Sequence, residues 1–234
     1  MRLLALDFET SGLSLAEDRV IEVGMVIYDI ELKQSVRHYG FLVKPDTDID
    51  PKHWAEAEKI HGIAWDTVNQ YGMPDPTALR QVLTYYDMAD ILLAHNGNVF
   101  DRPMLEAWAT RYSIPLNKKL WIDTRTDLPR PLTGKLIYLA AEYGFVNPFP
   151  HRALCDAMTM LRILENFDID AVIERAKIPN IMVQALVSYG DREKAKERGY
   201  QWMEWGGQKS RWLRQIKDHE VAREQAEAPF KIAV

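Results

Sequence analysis

The chain has a single cysteine, Cys155, among its 234 residues. That excludes an intramolecular disulfide and a zinc site built from cysteines alone. No apolar stretch approaches the length of a membrane-spanning helix. The first apolar run is cut by Asp7, which breaks the pattern of a secretory signal. There is no internal repeat and no low-complexity tract. These absences lead to the expectation of a cytoplasmic protein without a membrane partner. What is present is an ordinary globular composition, 47% hydrophobic and 27% charged, in a length that suits one good-sized domain with an appendage.

Charge is unevenly spread. The net −5 argues against a nucleic-acid binder until the chain is divided. Residues 187–217 carry eight Lys/Arg against four Asp/Glu, and residues 218–234 carry two against four. An acidic body is thus followed by a short basic segment.

The chain opens with Leu3-Leu4-Ala5-Leu6-Asp7-Phe8-Glu9-Thr10. An apolar residue at every position reads as a strand buried on both faces, at the centre of a sheet. Side chains alternate along a strand, so Asp7 and Glu9 leave the same face at its C-terminal end. Two like charges there need a cation to hold them, or bulk water around them. Asp-x-Glu at a solvated strand end and Asp-x-Glu on a divalent metal are both consistent with this strand alone.

Residues 20–30 and 36–43 are rich in β-branched and aromatic residues and read as two hairpin-joined neighbours of the first strand. Glu22, inside the second, is expected to pair with Arg19 or a later basic residue. Helices are expected over 52–60 with Gly62 as the stop, over 77–89 capped by Thr77, and over 101–112, 133–143 and 153–167. Short strands are expected at 91–94 and 119–123. Strands first and alternating helix–strand units later indicate an α/β layered fold with a mixed sheet.

Two further acids stand out. Asp101 precedes Met104, Leu105 and Trp108 at i+3, i+4 and i+7, so it shares their buried helix face. A carboxylate favoured by the helix dipole would occupy the same place. Asp156 lies on a stripe with Met160, Ile163 and Phe167. Buried acids are nearly always paired or metal-bound. His151 precedes that helix in a Pro-rich loop, within reach of whatever Asp156 holds, and an imidazole suits a general base near neutral pH.

Asp7-Phe-Glu9-Thr10, His95-Asn96-(x)3-Phe100-Asp101 and His151-(x)4-Asp156 resemble, in order and spacing, the three exonuclease motifs of the DEDDh family. Arg-Val-Ile-Glu-Val-Gly at 19–24, Ile-His-Gly-Ile at 60–63 and Asp123-Thr124 resemble its secondary features. The likeness covers roughly residues 1–170, and three weak motifs in order make a strong signal. It implies a 3′→5′ exonuclease with an RNase H-like mixed sheet flanked by helices, over residues 1–180. It implies two Mg²⁺ or Mn²⁺ ions, with Asp7 bridging both, Glu9 and Asp156 completing one site and Asp101 serving the other. Hard divalent ions prefer such oxygen ligands. By the same resemblance His151 takes the proton from the attacking water and the product is a nucleoside 5′-monophosphate. The turn Thr10, Gly12, Leu13 and the residue His61 would contact the terminal nucleotide. Phe100 would pack near its base or serve the core, and Asn96 would contact substrate or serve its own loop.

Two rival readings remain. Cys155 and His151 could form a thiol–imidazole pair, although a helical site beside a buried acid disfavours a thiolate. The fold could also be a catalytically inactive binding module. DNA and RNA substrates are both compatible with the motifs.

Residues 181–234 read as a small α+β module: strand, short helix near 191–198, and a hairpin turning at Gly206-Gly207. Its Ala195-Lys196-x-x-Gly199-x-x-Trp202 resembles small modules appended to some phage and bacterial exonucleases, which favours single-stranded DNA and leaves room for a DNA polymerase or another replication or repair protein as partner. Trp205, Lys209, Arg211 and Arg214 are candidate strand contacts, since aromatic and basic residues interleaved suit stacking and phosphate binding. A unit this small also needs its tryptophans as core, and Trp202 and Trp212 are expected there. Residues 218–234 are expected to form a helix with a frayed end.

Overall fold

The computed structural model describes residues 1–128, 134–205 and 208–234, excluding the side chains of Glu204, Trp205 and Gln208. Strand β1 (Arg2–Thr10) lies inside a six-stranded mixed sheet, between β2 (Val20–Asp29) and β5 (Ile91–Ala94). It runs antiparallel to β2 and parallel to β5. The outer strands are β3 (Gln34–Lys44), β4 (Met73–Pro74) and β6 (Leu120–Asp123). β3 pairs with β2, so only one of the two expected neighbours touches β1.

The apolar run of β1 is buried on both faces, as its pattern requires. Leu4, Leu6 and Met25 pack under α3 (Asp75–Met88) and α4 (Asp101–Arg111). Leu3, Ala5, Val26 and Tyr28 pack under α5 (Leu136–Glu142), α6 (Ala153–Leu164) and α7 (Ile169–Ala176). Helices α1 (Pro51–His61) and α2 (Trp65–Tyr71) form a side cluster in which Trp54, Ile63 and Val68 meet Ile21.

Local chemistry sets the boundaries. Asp50 caps α1 by accepting from the N–H groups of Lys52 and His53, and Gly62 ends it at φ 69°. Thr77 does not cap α3: Pro76 in the first turn needs no N–H partner, so the helix starts earlier, at Asp75. The helix expected from 133 begins at Leu136, and residue 133 lies outside the described residues. α6 stops at Leu164, where Asn166 Nδ2 donates to the carbonyls of Arg162 and Ile163. α2 and α7 were not anticipated, although Asp168 caps α7 ahead of buried Val172 and Ile173. Among the described residues no helix is long and apolar enough to cross a membrane.

A second sheet follows, in the order β10-β7-β9-β8, from β7 (Asn180–Leu186), β8 (Gln201–Trp205), β9 (Gln208–Lys217) and β10 (Lys231–Ala233). Helices α8 (Arg192–Glu197) and α9 (Val221–Glu227) complete this unit, whose core contains Val183, Ala185, Ala195, Tyr200 and Ile216. The expected turn at Gly206-Gly207 lies outside the described residues. The final segment is not a fraying helix: past α9 the chain returns as β10 and pairs with β7. Trp212 packs against the small core, but Trp202 is 61% exposed, because β8 is the edge strand.

Gly24 on β2 lies opposite Asp7 in the register. A Cβ at Gly24 would sit 2.1–2.2 Å from backbone atoms of Ala153 and Leu154. The bare glycine therefore lets the start of α6 rest directly on the sheet. Gly24→Ala should destabilise the protein by roughly 1–3 kcal/mol through overpacking and lower its melting temperature. An unchanged melting temperature would contradict the close approach.

Candidate active site

Asp7 and Glu9 leave β1 on the face covered by α6, opposite Gly24 and Glu22 on β2. Asp156 stands in the first turn of α6, so the contact at Gly24 brings it over the same strand end. Ligand atoms of Glu9, His151 and Asp156 lie within 4.8 Å of one another. Asp101 is the first residue of α4, 2% exposed, and accepts from the Phe8 N–H at 3.2 Å. All four acids are thus gathered at one end of β1.

They face a cleft of about 690 Å³. Asp7, Glu9, Asp156 and His151 line it, while Asp101 is buried and not part of the lining. Thr10, Gly12 and Leu13 form one rim, and His61, Asn96 and Phe100 form other parts of the lining. Phe100 lines the cleft and also packs against the main core. Leu13 is 81% exposed, an apolar side chain held out at the cleft edge.

Burial drives the electrostatics. It holds the Asp7 carboxyl well above its usual range, reinforced by Asp101, Asp156, Glu9 and Glu22. Burial, with Asp156 and Glu22 adding to it, pushes Glu9 up to about 8. Asp101 rises to about 8 from burial, against the pull of the Phe8 N–H. Asp156 is also raised by burial, opposed by hydrogen bonds from the His151 N–H and the Asn147 side chain. Such a set takes up either protons or cations. Hard oxygen donors with one imidazole nearby fit a divalent ion of the Mg²⁺ or Mn²⁺ kind.

The turn at the rim is built around Asp18. Its carboxylate accepts from Ser11 Oγ (2.8 Å), the Ser14 N–H (2.8 Å) and His53 Nε2 (2.6 Å). A Cβ at Gly12 would sit 2.4 Å from that carboxylate, so this position requires glycine. His61 accepts from the Ile63 N–H at Nδ1 (3.0 Å), which leaves the hydrogen on Nε2. That buried Nε2 has no partner among the described residues. Burial lowers the pKa of His61, so it presents a neutral N–H donor in the cleft wall.

Several supporting residues were not foreseen. Asn147 Nδ2 donates to Asp156, and its Oδ1 accepts from the Phe149 N–H (3.0 Å). Glu22, expected to pair with Arg19 or a later basic residue, pairs with the later one, Arg152, at 2.7–3.2 Å; its second bond, from the Ala153 N–H (2.9 Å), was not expected. Arg125, Leu136 and Ile137 line the cleft without a motif to mark them. Cys155 is half-buried, and burial followed by the Asp156 charge raises its thiol, which disfavours the thiolate.

The candidate contacts of the C-terminal unit are not gathered at this site. Arg214 pairs with Glu224 (3.4 Å), Arg211 donates to Gln184 (3.0 Å), and Lys209 is exposed. The Trp205 side chain lies outside the described residues. Gln201 of β8 does line the cleft.

Comparisons with known proteins agree with this geometry. The family model RNase_T, described as exonuclease, matches residues 4–164. The chain is 30% identical to DNA polymerase III subunit epsilon of Treponema pallidum over 166 residues, covering 68% of this chain and 73% of that protein. It is 30% identical over 169 residues to the PolC-type DNA polymerase III of Thermotoga maritima, covering 70% of this chain and 12% of that polymerase. E. coli exonuclease I in complex with a dT13 oligonucleotide has the same fold at a TM-score of 0.62 and 15% identity, over 79% of this chain and 48% of that one. The nuclease domain of 3′hExo, a DEDDh family member bound to rAMP, matches at a TM-score of 0.55 and 18% identity, over 70% and 90% of the two chains. With its RNase H-like mixed sheet and its gathered acids, the chain has the fold of the DEDDh nuclease domain above, and it belongs to the exonuclease family.

Proposed function

We propose that this protein is a metal-dependent exonuclease that removes nucleoside 5′-monophosphates from the 3′ ends of single-stranded DNA. The observation that carries the reading is the convergence of Asp7, Glu9, Asp101 and Asp156, with His151, at one end of β1 beside an open cleft. Asp7, Glu9, Asp101 and Asp156 would hold two divalent ions. Those ions, when bound, would supply Lewis-acid stabilisation of charge on the attacking and leaving oxygens.

The remaining work falls to the chain's own groups. His151, exposed at the cleft, accepts the proton of the attacking water. His61 offers its unpartnered Nε2–H to a substrate oxygen. Thr10, Gly12 and Leu13 receive the terminal nucleotide, with Phe100 and Asn96 in the same cleft lining. DNA is favoured over RNA because the matched relatives are DNA polymerase III proteins. The same relatives favour a polymerase or another replication or repair protein as partner. Residues 181–234 would act as a separate small module beside the nuclease domain, with Trp205, Lys209, Arg211 and Arg214 as its strand contacts.

Incubating the protein with 5′-labelled single-stranded DNA and the matching RNA, with Mg²⁺ or with a chelator, tests the reaction. A ladder shortening from the 3′ end, lost with the chelator and faster for DNA, is expected. Faster loss of RNA would make the enzyme an exoribonuclease, and no cleavage by folded protein with either metal would leave a binding module. Asp7→Asn should abolish cleavage. Asn147→Ala, which frees Asp156 from its hydrogen bond, should lower metal affinity or activity by about 10–100-fold. Full activity in Asn147→Ala would remove that residue from the account.

Stability should report on the same acids. The folded, metal-free chain holds protons on Glu9 and Asp101 up to about pH 8, whereas unfolded carboxyls release them near pH 4. The native state therefore binds more protons across that window, and stability falls as pH rises through it. In chelator the melting temperature should drop between pH 5 and pH 8. Mg²⁺ or Mn²⁺ should restore it far more at pH 8 than at pH 5. Equal stabilisation by metal at both pH values would contradict the assignment of these carboxyls as its ligands.

A further inference from the structure

The C-terminal unit reaches the cleft through one buried and one part-buried contact. Lys217, at the end of β9, is fully buried, and its Nζ lies 2.6 Å from Asp127 Oδ1, itself 1% exposed. Lys217 also donates to the Ile178 carbonyl at 3.0 Å. The other oxygen of Asp127 accepts from the Asp123 N–H at 2.7 Å. The carboxylate of Asp123 in turn accepts from the N–H groups of Asn96 (2.8 Å), Arg125 (2.9 Å) and Asn98 (3.1 Å). The second route is Arg125, whose guanidinium donates to Asn96 Oδ1 at 3.1 Å and to the Gly199 carbonyl at 3.4 Å.

Both routes end on Asn96, which lines the cleft at φ 62°, a left-handed conformation that asparagine tolerates better than other non-glycine residues. We propose that Lys217 and Arg125 are positioning residues, through which the C-terminal sheet fixes the His95–Asn98 loop and so presents Asn96 to the 3′-terminal nucleotide. The assignment rests on the nuclease reading for its effect on substrate, but not for its effect on the loop. A buried lysine without its carboxylate partner would be an uncompensated charge, and so would Asp127 without the lysine. The pair therefore ties the two sheets in one geometry, and the Asp127–Asp123 bond passes that geometry to the loop amides.

The test uses the full chain in four forms: wild type, Lys217→Met, Asn96→Ala and the double variant. Steady-state kinetics on a single-stranded oligonucleotide are read beside amide hydrogen exchange. Lys217→Met should raise KM about tenfold while kcat changes less than about threefold. In the Asn96→Ala background the same substitution should add less than about twofold, because its effect passes through Asn96. Additive effects on KM, or a folded Lys217→Met with wild-type KM, would overturn the proposal. Should Lys217→Met fail to fold, Arg125→Met breaks the second route and is read in the same cycle, with the same outcomes. Should folded wild type cleave nothing, the nuclease reading fails and hydrogen exchange alone decides whether Lys217 and Arg125 fix the His95–Asn98 loop. The amides of Asn96 and Asn98 should then lose protection in Lys217→Met or Arg125→Met while those of Leu4 to Leu6 keep it. Unchanged protection at Asn96 and Asn98 would overturn it.

Discussion

Mutual repulsion among four carboxylates is the constraint around which this molecule is arranged. Asp7, Glu9, Asp101 and Asp156 are brought to one strand end where burial raises every one of them. A fold that gathers like charges in low dielectric must supply compensation. Part of it is local and neutral: the Phe8 N–H for Asp101, and the His151 N–H with the Asn147 amide for Asp156. None of these bonds removes the demand for a cation. They fix where each oxygen points while leaving the site short of positive charge, which is the state a divalent ion relieves.

The gathering depends on an absent side chain. Gly24 faces Asp7 across the first two strands, and only a residue without Cβ lets the backbone of Ala153 and Leu154 come so near. The adjoining Glu22 secures that contact from the other side, pairing with Arg152 and capping the Ala153 N–H. An acid expected to be a bystander in an ion pair therefore anchors the helix that carries Asp156. It also adds to the repulsion felt by Glu9, so the anchor and the site are electrostatically linked.

The legible part of this site obeys short-range rules. The two-residue period places Asp7 and Glu9 on one face, and the helical period places Asp101 beside Met104, Leu105 and Trp108. Those relations act within a few residues, so a sequence exposes them. The mixed sheet and its central first strand followed from the same patterns. Resemblance to the DEDDh motifs then joined three segments that periodicity alone could not connect. Asn147, Arg125 and the second role of Glu22 stayed hidden, because their partners lie on other elements. Trp202 shows the reverse failure: a small unit needs aromatic core, but strand order decides which tryptophan is inside, and β8 is the edge.

Net charge, too, says little about where each cation goes. The basic stretch 187–217 reads as a surface for phosphates, yet several of its cations have intramolecular partners. Arg198 and Arg214 share Glu224, Lys194 pairs with Asp191, and Lys217 is buried against Asp127. Much of the excess positive charge thus neutralises acids of the downstream tail and of the nuclease body. Breaking a buried pair by removing one partner costs about 3–5 kcal/mol, a sizeable share of a typical domain's stability. Cutting the chain near residue 180 would strip Asp127 of Lys217 and leave that charge unmatched inside the nuclease body. The two sheets have separate cores, but the ion pair between them makes the second sheet part of what holds the first in its working shape.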